Sequence, residues 1–175
     1  PMACGPPCST MSDEDPGLSE PHPRIARIAP GRFTLSLPLP ERMLLRSLLP
    51  ELKHLVETRD PTTKRLFPTA YHDNPELEQE YRSLMGSELA NGRLVAVSTV
   101  LATIDEQELA LPALERWMDV INSLRLVYGT RLEVGEDPPV LQPEDPDASA
   151  YAVYEYLGWL MDQAVRAMTE DLAGS

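Results

Sequence analysis

Cys4 and Cys8 are the only cysteines of this chain, and their CGPPC spacing is the first arrangement in it that could do chemistry. Neighbouring exposed thiols can close to a disulfide on oxidation, which makes the pair a redox candidate. They can equally be two solvated thiols in a flexible leader, because spacing alone does not lower a thiol's pKa. With no histidine close by in sequence they fall short of a zinc site. His22, His54 and His72 are scattered, and His54 with Glu57 offers helical metal-binding spacing but only a pair of ligands. The chain has no HExxH, no phosphate-binding glycine loop and no nucleophile elbow. None of its carboxylates sits in an apolar context that would raise its pKa for acid–base work. No catalytic residue, metal ligand or cofactor is named by this sequence, and the expectation is a protein that is not an enzyme.

The informative residues are those out of place on apolar faces. Leu114, Met118, Ile121, Arg125, Tyr128 and Leu132 follow three- and four-residue steps and so line one stripe of a helix. An arginine on that stripe needs an acidic side chain or helix-terminal carbonyls inside the protein, or else it faces something bound from outside. Arg131, in the last turn of the same segment, is a further partner-binding candidate. Trp159 is the complementary case, an aromatic on a polar strip beside Glu155, Asp162 and Arg166, with Tyr156 on the same flank. Aromatic residues framed by charge have the composition of an interface core with its rim. Either the acidic loop 135–147 folds over Trp159, or Tyr156 and Trp159 anchor a partner or a second copy of the chain.

Charge narrows the kind of partner. The chain carries 15 basic and 28 acidic residues, a formal net charge of −13. Nucleic-acid affinity rests on basic side chains that release counterions from phosphates, so unaided binding to DNA or RNA is disfavoured. Anionic membrane surfaces are disfavoured for the same reason. No apolar run approaches the length needed to cross a bilayer. The leader carries acids and prolines where a secretory signal has a basic region and an apolar core, so the expected location is the cytoplasm.

The elements that must position these residues are mostly helical. Residues 1–30, rich in proline, serine and acids, read as a disordered tail, and residues 31–175 as one helical domain. Gly31 to Leu37 alternates Phe33, Leu35 and Leu37 with polar neighbours, a short strand. Pro40 or Glu41 opens a helix to about Glu57, with a kink or break expected at Pro50. Asn74-Pro75 starts the next helix. Gly86 interrupts it and Ser87 caps a further one that carries Leu94, Val97, Leu101 and Ile104. Residues 77–101 could then be a helix-turn-helix offering Glu88, Asn91 and Arg93 to a major groove, although bundle packing is the commoner use of such a pair. Glu108 to Leu111 is a second strand that would pair with Phe33–Leu37. Pro112 to Val134 and Ala148 to Leu172 are long helices expected to pack antiparallel. The predicted fold is mainly α, a single-domain bundle of about five helices with a small two-stranded β element.

Several segments together resemble a known family: ERMLLRSL (Glu41–Leu48), FPTAYHDNPELEQEYRSL (Phe67–Leu84), AVSTVLATI (Ala96–Ile104), WMDVINSLRLVYGTRLEV (Trp117–Val134) and YAVYEYLGWLMDQAVRAM (Tyr151–Met168). In these the chain is similar to an actinobacterial helical family long known only as a domain of unknown function. Its genes are often found beside the gene for the Clp protease adaptor ClpS. The family includes an oxidative-stress transcriptional regulator described as acting with an alternative sigma factor. The resemblance implies a regulatory protein whose partner is a sigma factor or RNA polymerase, or alternatively a Clp component such as ClpS or the Clp ATPase. The Cys4–Cys8 leader lies outside the matching segments, so no redox role comes with the resemblance. Pro50 departs from the family's usual uninterrupted first helix.

Overall fold

The computed structural model describes residues 23–135 and 142–173. It is a mainly helical single domain with one small antiparallel sheet. The order is β1 (Ile25–Ala29), β2 (Arg32–Leu35), α1 (Leu39–Thr58), a 3-10 helix (Pro61–Leu66), α2 (Pro75–Thr103), β3 (Glu108–Ala110), α3 (Leu111–Arg131) and α4 (Ala148–Ala173).

The sheet has three strands in the order β1-β2-β3, not two. The expected pairing is present, with Phe33 opposite Leu109. The added strand, β1, takes residues that the sequence placed in the tail, so the folded region begins earlier than residue 31. Pro30-Gly31, with Gly31 at φ 67, turns the chain from β1 into β2. Ile25 is buried, and Gln163 of α4 accepts hydrogen bonds from the Arg24 and Ile25 amides at 2.5 and 3.4 Å. Those bonds pin the strand to the last helix.

Asn74 caps α2 as its type and the following proline imply, its Oδ1 accepting from the Leu77 amide at 3.1 Å. The helix then runs unbroken through Gly86, where the sequence suggested an interruption. A glycine lowers helix propensity without ending a helix, and this one is buried against Arg59, where a Cβ would lie 3.2 Å from the guanidinium. The helix-turn-helix reading therefore falls: there is no turn, and Arg93 points inward. Pro50 likewise does not break α1. It is exposed, so the Arg46 carbonyl that loses its helical donor can turn to water.

α3 is the centre of the domain. Leu114, Trp117, Val120, Ile121, Leu124 and Val127 are buried along it, a broader arc than the predicted stripe because α2 and the 3-10 helix cover one side and α4 the other. Gly129 lies against Tyr154 and Gly158 against Arg125, so residues ascend α4 as they descend α3 and the two helices are antiparallel. α4 answers with Leu157, Leu160, Ala164 and Ala167, all buried. Trp117 is the largest fully buried side chain, and its Nε1 donates to Thr103 Oγ1 at 2.9 Å. Trp117→Ala should cost about 3–5 kcal/mol through the cavity it leaves. Thr103→Val should cost about 1–3 kcal/mol by stranding the indole N–H. Urea denaturation checks both, and equal losses would mean that the hydrogen bond, not the packing, fixes α3.

Candidate functional site

The residues singled out by sequence are held in separate places. Tyr156 is half-buried and donates its hydroxyl proton to Glu41 Oε2 at 2.9 Å. Glu41, in the first turn of α1, also accepts from Arg24 Nε and Nη2, the closest approach being 2.9 Å. One carboxylate thus joins β1, α1 and α4. Burial, then the bond to Glu41, pushes the Tyr156 phenol far above its ordinary range. Trp159 stays 41% exposed, its ring 6.0 Å from that of Tyr156 and its face 5.7 Å from the Arg24 guanidinium. Beside it lies a shallow groove of about 340 Å³ bounded by Ile25, Ala26, Asp162 and Arg166. Residues 136–141 of the acidic loop and both cysteines lie outside the described residues.

Arg125 does not find the acidic side chain or carbonyls expected for it. Its guanidinium sits 5.2 Å from the Tyr154 ring centroid, and Gly158 leaves room for it on α4. Its Nε is buried with no hydrogen-bond partner. Cation–π attraction to the tyrosine face takes the place of a counter-ion, and the partial exposure of the side chain lowers the desolvation cost that made a partner seem compulsory. Arg131 is committed within the fold, pairing with Glu51 of α1 at 2.6 Å.

Sequence reading missed a cleft between the end of α1, the 3-10 helix and the first half of α2. It has a volume of about 410 Å³, with Phe67, Tyr81 and Leu89 among its apolar walls and Arg59, Lys64 and Arg82 among its polar ones. Arg59 ends α1 in the left-handed conformation, φ 54 and ψ 44, which an arginine rarely adopts. The contacts that hold it there are specific. Its guanidinium stacks 4.1 Å from the Phe67 centroid and donates to the Gly86 carbonyl. Asp60 caps the 3-10 helix, accepting from the Thr62 amide at 2.9 Å and the Thr62 hydroxyl at 2.6 Å, and those bonds hold its carboxyl below the usual range.

Arg93 lies under the same ring, 5.6 Å from its centroid. It donates to the Ser123 hydroxyl at 2.9 Å and the Leu66 carbonyl at 2.8 Å, and burial lowers its pKa. Behind Arg82, outside the cleft's lining, Glu78 accepts from the Ala70 and Tyr71 amides at 2.9 and 3.0 Å and from Arg82 Nε at 2.5 Å. The backbone bonds lead in holding its carboxyl below the ordinary value. The available signal was the run Arg59 to Phe67, which carries three bases around an Asp-Pro cap and ends on an aromatic.

The raised Tyr156 pKa has a sign. The native state keeps a proton that the unfolded chain gives up near pH 10, so rising pH favours unfolding. Stability from this group is fully present below about pH 10 and is lost above it. Tyr156→Phe should therefore flatten the fall in melting temperature between neutral pH and the alkaline range. A wild-type slope in that variant would place the titration elsewhere, Tyr128 being the other tyrosine that burial shifts upward.

Residues 23–168 match the family described as "Domain of unknown function (DUF2017)". Relatives described as "Oxidative stress regulator AosR" occur in Mycobacterium bovis and in two strains of Mycobacterium tuberculosis. Each is 29% identical over 130 residues, covering 64% of this chain and 60% of the relative. No solved structure matches significantly. The chain belongs to the DUF2017 family.

Proposed function

We propose that this protein is a non-enzymatic regulator of the oxidative-stress response that acts by protein–protein contact, working with a sigma factor or RNA polymerase in the cytoplasm. The observation that carries this reading is the match to relatives named as oxidative stress regulators. The matched stretch spans 60% of their length, so their activity as whole proteins is proposed here for this chain and not assigned to it. Two surface features support contact as the mode of action. Trp159 stands exposed beside the Arg24–Glu41–Tyr156 network, which fixes its position from β1 and α1. A rigid aromatic at an open groove is the kind of side chain that dominates interface energy. The net charge of −13 supports a protein partner over unaided duplex DNA.

Affinity capture from the native host, followed by mass spectrometry, tests the reading. Sigma factor and polymerase subunits are the expected catch, whereas ClpS or the Clp ATPase in their place would move the protein to the proteolysis pathway. Trp159→Ala should weaken the captured complex by at least about 2 kcal/mol while the far-UV spectrum and melting temperature stay near wild type. Unchanged capture by that folded variant would remove the Trp159 strip from the interface. Tight, salt-dependent binding of the purified chain to duplex DNA would replace the protein-contact reading altogether.

A further inference from the structure

On a chain of net charge −13, unpaired positive charge is the exception. Arg32, Arg42, Arg46, Lys53, Arg82, Arg116, Arg131 and Arg166 each have a carboxylate within 4 Å, the pairs ranging up to 3.8 Å. Among the described residues, Arg59, Lys64, Arg65, Arg93 and Arg125 have none, and Arg59, Lys64 and Arg93 gather at the cleft around Phe67 or directly beneath it. The one acid lining that cleft, Asp60, already accepts from Thr62. The net negative charge of the whole chain does not cancel this local excess, because exposed charges further away than about 8 Å are largely screened at physiological ionic strength.

The same cleft has an apolar side. Phe67, Tyr81 and Leu89 line it, and along the first half of α2 Leu77, Leu84 and Met85 are exposed as well. A simple anion would use the cations and leave those side chains idle. A segment of protein that alternates carboxylates with large apolar residues would use both. Arg59 is pre-set for this: its backbone is held in a disfavoured conformation and its plane is stacked, so little is lost in ordering it. We propose that the cleft between the 3-10 helix and α2 is a docking site for an acidic, aromatic-bearing peptide segment of a partner protein. Arg59 and Lys64 meet its carboxylates, and Phe67, Tyr81 and Leu89 receive its apolar anchor. This rests on the reading of the protein as one that works by protein contact, and it adds a surface that shares no lining residue with the Trp159 groove.

The test is fluorescence anisotropy of the full chain with a fluorescein-labelled peptide, Asp-Glu-Phe-Asp-Glu-Leu. The expected result is binding with a Kd of about 1–100 μM that weakens as salt rises. Lys64→Glu, a substitution at an exposed side chain with no ion pair to lose, should weaken it about tenfold or more, and Lys64→Arg should restore it. Replacing the peptide's phenylalanine with alanine should weaken it by a similar factor. No binding, or binding indifferent to Lys64→Glu, overturns the proposal. So does displacement by inorganic pyrophosphate together with indifference to the missing phenylalanine, since that describes an anion site. If the peptide fails while host partners are still captured, the cleft assignment falls and protein contact stands. If the peptide binds but no partner is captured, the regulatory reading is the one in trouble.

Discussion

Arg93 is the interaction on which the arrangement of this domain turns. It leaves α2, crosses beneath the ring of Phe67, and donates to the carbonyl of Leu66 at the end of the 3-10 helix and to the hydroxyl of Ser123 on α3. Ser123 in turn donates to the Asp119 carbonyl of its own helix at 2.7 Å, so its oxygen is oriented to accept from the arginine. With no carboxylate in ion-pair contact and only a longer-range attraction to Asp119, the half-buried charge depends mainly on these neutral dipoles and on the aromatic face. Removing any of them would leave a half-solvated cation in the junction of three elements. The position of the 3-10 helix follows from that junction, and so do the walls of the cleft.

The other end of the molecule is organised by an anion. Glu41 gathers Arg24 and Tyr156, and through them it fixes β1 against α1 and α4. The two nodes share a logic: a charged group, mostly buried, is satisfied by bonds from separate elements and thereby sets their relative positions. They differ in what they leave over. The Glu41 node is neutralised by Arg24, whereas the Arg93 node has no carboxylate in ion-pair contact, only the longer-range pull of Asp119, and it lies next to Arg59 and Lys64. That imbalance gives the cleft its chemical character.

Much of the frame was legible in the sequence because local signals and burial agree there. Asn74-Pro75 caps and starts α2 as written, Phe33 and Leu109 alternate and pair, and the buried residues of α4, Leu157, Leu160, Ala164 and Ala167, follow three- and four-residue helical steps. β1 was not legible, since Ile25 is its only fully buried side chain and its hold comes from backbone pairing and from Gln163, which lies far along the chain. Gly86 misled because a glycine's local cost says nothing about the arginine that needs its space. Arg125 was correctly marked as anomalous, but its tyrosine lies on another helix, beyond the reach of periodicity. The cleft was hidden for the same reason. Its unpaired lining cations come from the end of α1 and the 3-10 helix, and Arg82 and part of its apolar wall come from α2.

The chain has just two lysines, Lys53 and Lys64, which makes its contacts unusually easy to map chemically. Lys53 sits on α1 facing Glu57 at 3.8 Å, and Lys64 stands at the cleft. A carbodiimide joins lysine amines directly to carboxylates that touch them, so treating the native complex and sequencing the linked peptides reads out which lysine meets an acidic partner. Links from Lys64 to aspartate or glutamate of another protein, with none from Lys53, are the predicted result. Links through Lys53 alone, or no intermolecular link at Lys64 in a sample where the partner co-purifies, would contradict the claim that the cluster of unpaired positive charge at this cleft is where its partner binds.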